Sequence, residues 1–474
     1  MIARKKWQRS RIIGLIATIA CALGIGICPL QAQEEKKADR AIDIGTITVM
    51  APQPGVEITT EKTVIHMDEF KKPGEVRTLT DVLTEIGGID VQRINPLMAS
   101  PGDEVSIRGL NEGRMVIEID GRRINHTGHF GRYIVDWSTL NMDDIESIEI
   151  IRGGHSVLHP FAIGGVINII TKKGKKTDKA KPDVRVKGGC GDYGTYNMAA
   201  SVNGGAGNIV GYNFSASRQE TDGYLRNNFQ ETDSLNGHLT FYLPGEATFS
   251  LGVKYSEVLY GIPVINDPAR ADYDSDYPKY FSDRDQLRHL DWPQHAGGPT
   301  PEWKKDTTYL DAILQVPLGS GTIKLHYFQT VGRRWTSLYN SMGVFEDDEF
   351  VDDETEGIIA EYRDIDLFDS HRVTVGAEYQ ELGQPAENPI IYKVKSAYIQ
   401  DVIRLGDRWT VTPGVRYYHV EMDTYYSKFG TGFPTGGKEQ TEDGFYPSLK
   451  GDFQATPYTA LYAAVSRSYR LPCP

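Results

Sequence analysis

The stretch IESIEIIRGGHSVLHPFAIGGVINIITKK, residues 145 to 173, decides the fold of the chain. Its first part alternates, with Ile148 and Ile150 among polar residues, which is typical of a strand with one buried face. A second apolar run, Val166–Thr171, predicts another strand. Between the two runs lie Arg152 and two glycine pairs. Taken by itself, the pattern predicts two buried strands joined by a glycine-rich connection, as in many α/β and α+β domains.

Taken whole, the stretch resembles the end of the plug domain of TonB-dependent outer-membrane receptors. In that family an IE-x-IE-x-x-RG strand is followed, after a short loop, by GGVINIIT. Earlier pieces of the plug pattern occur in order: LxDVL…IGGIxV at residues 79–91, VSIRGL at 105–110 and MVIEIDGRRI at 115–124. The chain departs from the family at Gly154-His155 and His159-Pro160.

Composition narrows the classes of partner. The chain has 474 residues and a formal net charge of -13, which argues against nucleic acid as a partner. Its 26 Tyr, 16 Phe and 49 Gly suit a β-rich protein at a membrane interface. The same composition suits a large soluble β-protein, so it does not decide between the two.

The N-terminus predicts export. Basic residues between Arg4 and Arg11 precede the apolar run Ile12–Ile27, and Ala32 offers a small residue for cleavage. This order is that of a secretory signal peptide, whereas a single membrane anchor would need a longer run. The mature chain would keep Cys190 and Cys473, which indicate no disulfide framework.

The resemblance implies four regions. We expect a signal peptide at 1–32, a periplasmic tail at 33–55, an α+β plug domain at 56–178, and the N-terminal part of an antiparallel transmembrane β-barrel at 179–474. The outer membrane of a Gram-negative bacterium is the expected location, and a monomer the expected state.

A β-branched run, Thr46, Ile47, Thr48 and Val49, lies in the tail. It could add a strand to the sheet edge of a partner, or be an ordinary first strand. Pro52 and Pro54 are expected to stop it from pairing onward within its own chain. Its position resembles the TonB box, which implies that the TonB energy-coupling protein, with its inner-membrane motor, binds it.

Local signals predict details of the plug. The apolar spacing of Leu79, Val82 and Leu83 predicts a helix, capped by Thr78 or Thr80 and ended by the following glycine pair. Asp120-Gly121 predicts a hairpin turn.

Arg108 and Arg152 each precede a glycine at the end of a predicted strand. They could be ordinary surface arginines. The resemblance implies that they form the latch between plug and barrel, where guanidinium groups pair with barrel glutamates.

Two plug loops, at 94–103 and 125–133, carry the candidate ligand contacts. By resemblance these loops face the outside. The candidate substrate-binding residues are Arg93, Asn95, His126, His129, Phe130, Arg132 and Tyr133. His126 and His129 could bind a metal or haem iron, or be solvated loop histidines. His155 and His159 form a second pair, which the resemblance places toward the periplasm. No firm metal site and no cofactor are predicted.

Long alternating strands follow from about Asp183. In Glu246–Val258, Phe249 and Leu251 alternate with Ser250 and Gly252, which predicts lipid-facing and lumen-facing sets. Short turns alternate with long polar connections at about 259–306, 333–356 and 423–443. The acidic run at 347–354 is expected at a solvated loop tip.

About a dozen such strands occur, whereas receptors of this family close about 22 around the plug. The sequence ends in SRSYRLPCP, which resembles an internal motif of receptor barrels. We therefore expect a C-terminally truncated receptor, either a fragment or the product of a premature stop.

No catalytic constellation is present, so an enzyme is not predicted. The preferred function is TonB-dependent active import of a scarce substrate: a ferric siderophore, cobalamin, haem or another metal chelate. This function would belong to iron transport and siderophore uptake, and its expected partners are TonB, the small substrate and outer-membrane lipid. The alternatives are a passive porin, a ligand-binding surface protein on the same scaffold, or a non-functional truncated receptor.

Overall fold

The computed structural model describes residues 48–50, 54–59, 62–71, 77–93, 95, 97–100, 103–127, 133–153, 156–177, 182–280, 299–339, 344–384, 390–424, 438–456 and 459–471. The predicted signal peptide, with Thr46 and Ile47, lies outside these residues. Among the described helices, none is long and apolar enough to cross a membrane.

Residues 48–171 form a small α+β domain, here called the plug. Its strands are β1 (Thr48–Met50), β2 (Val56–Thr59), β3 (Thr63–His66), β4 (Ile89–Gln92), β5 (Glu104–Ile107), β6 (Met115–Ile119), β7 (Arg122–Arg123), β8 (His126–Thr127), β9 (Tyr133–Ile134), β10 (Ile145–Arg152) and β11 (Gly165–Thr171). Its helices are α1 (Leu79–Thr84) and short 3₁₀ turns at Met67–Phe70, Trp137–Thr139 and Met142–Asp144.

Seven plug strands form one mixed sheet, in the order β1-β2-β3-β10-β11-β6-β7. The two strands of the 145–173 stretch lie at its centre and pair antiparallel, with Ile148 opposite Ile169 and Ile150 opposite Ile167. β6 then runs parallel to β11 on the far side. These four isoleucines lie on one face of the sheet and are fully buried there. In β6 and β11 the residues of the other face are buried as well, which explains their near-continuous apolar runs.

Local signals for the helix and the turn are confirmed. Thr78 caps α1: its hydroxyl accepts a hydrogen bond from the Asp81 amide, and the Asp81 carboxylate accepts one from the Thr78 amide. Gly88, at φ +83°, follows the helix. Asp120 and Gly121 both have positive φ between β6 and β7, as a tight hairpin requires.

The expectation that Pro52 and Pro54 prevent pairing within the chain is wrong. β1 pairs antiparallel with β2, which follows both prolines, with Val49 opposite Ile58. In the sequence both prolines fall between β1 and β2, so the residue pairs that join the two strands need no amide donor from either proline.

In the part of the chain that the structure describes, thirteen strands form a second, larger sheet, here called the large sheet. Each strand pairs antiparallel with the next along the chain. They are β12 (Asp183–Cys190), β13 (Tyr196–Ala206), β14 (Val210–Thr221), β15 (Gln230–Tyr242), β16 (Thr248–Gly261), β17 (Glu302–Leu318), β18 (Gly321–Tyr339), β19 (Phe345–Leu367), β20 (His371–Gln384), β21 (Ile390–Leu405), β22 (Trp409–Thr424), β23 (Lys438–Thr456) and β24 (Thr459–Ser466). A 3₁₀ turn, Pro244–Glu246, joins β15 to β16.

The two faces of β16 differ as the alternation predicts. Ser250 and Lys254 are buried on the side that faces the plug, whereas Leu251 and Val253 are 37% and 49% exposed on the outer side. The outer face of β16 is therefore apolar and exposed, whereas its inner face is polar and is buried against the plug.

The predicted long connection at 333–356 is wrong. β18 continues to Tyr339 and β19 begins at Phe345, so that only a short connection separates them. The acidic run lies within β19, where Glu349 pairs with Trp335 in the ladder. Strands keep their backbone pairing beyond the apolar band, and sequence hydropathy does not record this continuation.

Candidate functional site

The edge of the plug sheet carries the predicted TonB box. Thr48 and Val49 lie in β1, the terminal strand of the sheet, whereas Thr46 and Ile47 lie outside the described residues. Three residue pairs join β1 to β2. An edge strand bound on one side offers its other side to a partner strand, so this position suits the predicted role.

The opposite edge of the plug sheet is anchored to the large sheet by Arg122. Its Nε lies 2.7 Å from Asp311 Oδ1, and its Nη2 donates to Asp311 Oδ2 at 3.2 Å. Its Nη1 donates to Thr330 Oγ1 at 2.7 Å. His326 Nε2 lies 2.9 Å from the same carboxylate. The arginine side chain is fully buried and the Asp311 side chain is 17% exposed, so most of this ion pair is shielded from water.

Further contacts join the plug to β15 and β17. Lys305 Nζ lies 3.3 Å from Asp136 Oδ2, and both side chains are buried. Near the predicted outer face of the plug, Ser100 Oγ donates to Gln230 Oε1 at 2.8 Å, and Gln230 Nε2 donates to the Ala99 carbonyl at 2.7 Å. The plug therefore contacts the large sheet through buried polar groups, not only through apolar packing.

Inside the plug, Glu112 joins three segments. Its carboxylate accepts hydrogen bonds from the Trp137 indole at 2.6 Å, the Val105 amide at 3.0 Å and the Val135 amide at 3.1 Å. Burial raises the pKa of Glu112 to about 7, although these donors oppose the shift. The role of Glu112 could not be predicted from the sequence, because a single acidic residue in a turn belongs to no periodic pattern.

Arg108 and Arg152 lie beside each other in the plug. Arg152 Nη1 donates to Thr63 Oγ1 at 2.6 Å and Nη2 to the Gly87 carbonyl at 3.3 Å. Arg108 is exposed, at φ +52°. Burial and the neighbouring Arg108 guanidinium lower the pKa of Arg152. Over the ranges that the structure describes, neither arginine pairs with a carboxylate of the large sheet, and their latch role stays a prediction.

Arg93 and Asn95 are held by other plug residues. Arg93 Nη2 lies 2.5 Å from Asp81 Oδ1 and 3.2 Å from Thr80 Oγ1, so it ties the end of β4 to α1. Asn95 is 2% exposed, and its Oδ1 accepts from the Leu97 amide at 3.0 Å. Both contacts serve the local fold, and the ligand-binding role of these two residues stays a prediction.

The remaining candidate ligand contacts lie around β8 and β9. His126 is in β8 opposite Ile134, and Tyr133 is in β9 opposite Thr127. His129, Phe130 and Arg132 lie outside the described residues. Among the residues that are described, no cluster of three or more His, Cys, Asp or Glu could hold a metal ion.

Sequence reasoning missed Arg122 and Asp311. Arg122 and Arg123 follow the predicted turn and look alike in the sequence. Only the register of β6 and β7 shows that Arg122 meets Asp311, while Arg123 lies over the Phe161 ring. The signal that could have pointed to Arg122 is the placement of two arginines directly after a predicted turn, whereas no such signal marks Asp311.

Comparison with known proteins shows which family the chain resembles. The TonB-dependent Receptor Plug Domain matches residues 54–166, and the TonB dependent receptor-like beta-barrel matches residues 183–472. The vitamin B12 transporter BtuB of Vibrio vulnificus (strain CMCP6) is 30% identical over 168 residues, which cover 35% of this chain and 26% of that protein.

Solved structures show the same fold. The ferric citrate transporter FecA in its unliganded form has a TM-score of 0.67 at 19% identity, over 86% of this chain and 62% of that one. The FrpB iron transporter from Neisseria meningitidis (F3-3 variant) has a TM-score of 0.69 at 14% identity, over 87% of this chain and 66% of that one. The chain thus spans less than two thirds of the length of these relatives. Since the two domain matches cover most of the chain, with a plug packed against a large antiparallel sheet, the chain belongs to the family of TonB-dependent receptors.

Proposed function

We propose that this protein takes part in the active import of a small metal chelate across the outer membrane, powered through TonB. The observation that carries the proposal is the order of strands in the plug sheet. The segment expected to bind TonB forms one edge of this sheet, and Arg122 anchors the other edge to the large sheet. Force and resistance would thus act on opposite edges of one sheet.

The sheet order gives a path for that force. A pull on β1 acts first on its ladder with β2, where only three residue pairs resist. It then acts on β3 and on β10, which is the first strand of the 145–173 stretch and the middle strand of the sheet. Each backbone hydrogen bond contributes only about 1 kcal/mol to stability, so short ladders at an edge separate before the longer central one. The plug would then open from the TonB side, while β6, β7 and β11 stay on the large sheet.

A passive pore is less compatible with this geometry. The plug buries the inner face of β16 and β17, and its charged groups there are paired with groups of the large sheet. A protein that conducted solutes at rest would have no use for an occluding domain held by buried ion pairs.

The substrate class rests on the relatives. BtuB is named as a vitamin B12 transporter, and FecA as a ferric citrate transporter. We propose a ligand of the same kind, such as cobalamin, haem or a ferric siderophore, recognised by the plug loops that hold Arg93, Asn95, His126, His129, Phe130, Arg132 and Tyr133.

The test is a deletion of Thr46–Ala51 from the native gene in its own host. Its matched control is a deletion of the equally long segment Glu34–Asp39 in the same tail. Uptake, and surface binding at low temperature, are measured with labelled cobalamin and labelled ferric siderophores. We expect the first deletion to abolish uptake and leave surface binding, and the second to change neither. Unchanged uptake after the first deletion would overturn the proposal.

A further inference from the structure

The connection between β10 and β11 contains a short segment, Ser156–Ala162, that lies against the inner face of the large sheet. Arg416, in β22 of the large sheet, binds this segment through its guanidinium group. Its Nε donates to the Val157 carbonyl at 2.8 Å, and its Nη2 donates to the Leu158 carbonyl at 3.4 Å. Its Nη1 pairs with Glu378 of β20 at 2.7 Å, and both of these side chains are 2% exposed. A buried guanidinium thus joins two plug carbonyls to a carboxylate of the large sheet.

Phe161, in the same segment, occupies a socket of tyrosines. Its ring stacks on Tyr418 at 5.0 Å between centroids, and lies 6.1 Å from Tyr469. Its amide donates to the Tyr418 hydroxyl at 3.1 Å. Tyr446 packs on both tyrosines, at 5.4 Å from each. The Phe161 side chain is 4% exposed, so the socket encloses it.

The backbone of Phe161 is strained in this position. Its φ is +64°, in the left-handed region that a bulky residue rarely adopts. Glycine, asparagine and aspartate tolerate that region much better. A strained conformation persists only where its surroundings hold it, and such residues concentrate at sites that switch. Here the stacking, the amide bond and the Arg416 contacts supply the hold.

We propose that Phe161 is a strained latch that holds the plug on β22 and β23 until transport releases it. In the docked state, the tyrosine socket and Arg416 hold the segment against its own backbone preference. Once the segment leaves the socket, the backbone of Phe161 returns to negative φ. The unfavourable backbone conformation therefore offsets part of the stabilisation that the aromatic contacts provide. The segment can consequently leave the socket more easily than it could without the strain.

The inference rests on the proposed function only in that the plug must move. Phe161 touches no ligand and is a positioning residue. It is separate from the Arg122–Asp311 pair, since it anchors the opposite side of the central strands to different strands of the large sheet. Both sequence departures from the plug pattern fall in this connection, at 154–155 and 159–160.

The test compares variants of the native gene in its own host. The readout is sensitivity to vancomycin, a hydrophilic antibiotic that would need an opened plug to pass. Phe161→Ala removes the ring, and Tyr418→Phe removes only the hydroxyl. We expect Phe161→Ala to raise sensitivity on the order of tenfold, as loss of an aromatic contact and its buried area would predict, and Tyr418→Phe to raise it less. Thr139→Ala, which removes a different plug contact, to Tyr309 at 3.3 Å, is the control for a merely loosened interface.

The strain has its own comparison. Phe161→Gly also removes the ring, but only glycine adopts φ +64° without penalty. We expect cells with Phe161→Gly to be less sensitive to vancomycin than cells with Phe161→Ala. If the Phe161→Gly cells are as sensitive as the Phe161→Ala cells, or more so, the strain is not part of the latch.

A double-mutant cycle isolates the contact. Phe161→Ala and Tyr418→Ala should be strongly non-additive, whereas Phe161→Ala and Thr139→Ala should add. Wild-type sensitivity of Phe161→Ala in protein that reaches the membrane, or full additivity with Tyr418→Ala, overturns the latch. If Phe161→Ala does not reach the membrane, Tyr418→Phe and Phe161→Gly carry the test.

Failure of this inference is distinguishable from failure of the import proposal. Vancomycin passage needs neither TonB nor a ligand, so it is also measured with Thr46–Ala51 deleted. A latch effect that persists there, while uptake is insensitive to the deletion, would overturn import and leave the latch intact.

Discussion

Arg122 and Asp311 are 189 residues apart in the chain and form a two-pronged ion pair that joins the plug to the large sheet. The Arg122 guanidinium lies 5.1 Å from the centroid of the Tyr309 ring and 5.5 Å from that of Phe328. Aromatic rings on both neighbouring strands thus exclude water from the pair. Asp311 also contacts His326. Without Arg122, however, the buried Asp311 carboxylate would lose the guanidinium charge that compensates its own.

Arg122→Met should destabilise the plug in the large sheet. The substitution keeps most of the volume but leaves the Asp311 carboxylate buried without its main partner, which typically costs about 3–5 kcal/mol. The measurement is thermal unfolding of the purified protein, together with protease resistance of the plug. Arg185→Met is the control, because Arg185 is 56% exposed and pairs only at the surface. Equal effects of the two substitutions would contradict a structural role for the buried pair.

Replacing both partners should cost less than replacing one. In Arg122→Met with Asp311→Leu, no charge is left unpaired at that position, so the double variant should recover part of the stability lost by Arg122→Met alone. A double variant less stable than either single one would show that Asp311 acts mainly through His326.

Stability of the plug should fall as pH rises toward 7. The pKa of Glu112 is about 7 in the folded plug, above its ordinary value, because the carboxyl is buried. The folded state therefore binds its proton more tightly than the unfolded state does. The resulting stabilisation is fully present below the ordinary pKa of glutamate and is lost as pH rises through the folded pKa, by an amount on the order of 3 kcal/mol.

Glu112→Gln should flatten that pH dependence between about pH 4.5 and 7. Glutamine keeps an acceptor oxygen for the Trp137 indole, yet it does not titrate. The measurement is the unfolding midpoint as a function of pH, with Glu69→Gln as the control, since Glu69 is an exposed carboxylate of the plug. A slope that persists in Glu112→Gln would place the titration on another group.

The large sheet could be predicted from the sequence to a greater extent than the site. The period of two in strands such as β16 is local, so Leu251 and Ser250 reveal their faces directly. The ends of β18 and β19 could not be predicted, because strands that continue past the apolar band, as at Glu349, keep backbone pairing with polar side chains. Asp311 could not be predicted either, since its partner depends on the register of two distant strands.

Arg93→Gln decides between two roles for a residue predicted to bind ligand. Its contact with Asp81, at 2.5 Å with both side chains partly exposed, should stabilise the plug by about 1 kcal/mol or less. We expect both Arg93→Gln and the matched control Asp81→Asn, which removes the same ion pair from the other side, to lower the unfolding midpoint slightly. If Arg93 contacts the ligand as proposed, only Arg93→Gln should also lower ligand affinity by more than about twofold. Equal affinities of the two variants would contradict the proposed ligand contact and leave Arg93 a structural role only.

Gly165→Ala should weaken the pairing of β10 with β11 on which the plug is built. Gly165 pairs with Arg152 at the start of β11, where φ is +152°. A Cβ atom there would lie 2.6 Å from the Ile151 carbonyl oxygen, which belongs to the backbone and cannot move without separating β10 from β11. Overpacking alone costs about 1–3 kcal/mol, and the unfavourable φ adds to it. We expect a plug that proteases digest in isolated membranes.

Gly113→Ala is the control: the nearest atoms to its Cβ would be 3.5 Å and 3.9 Å away, and both belong to side chains. A protease-resistant plug in Gly165→Ala would mean that β10 and β11 tolerate a shift, and that the glycine pair in the GGVINIIT stretch serves a purpose other than close packing.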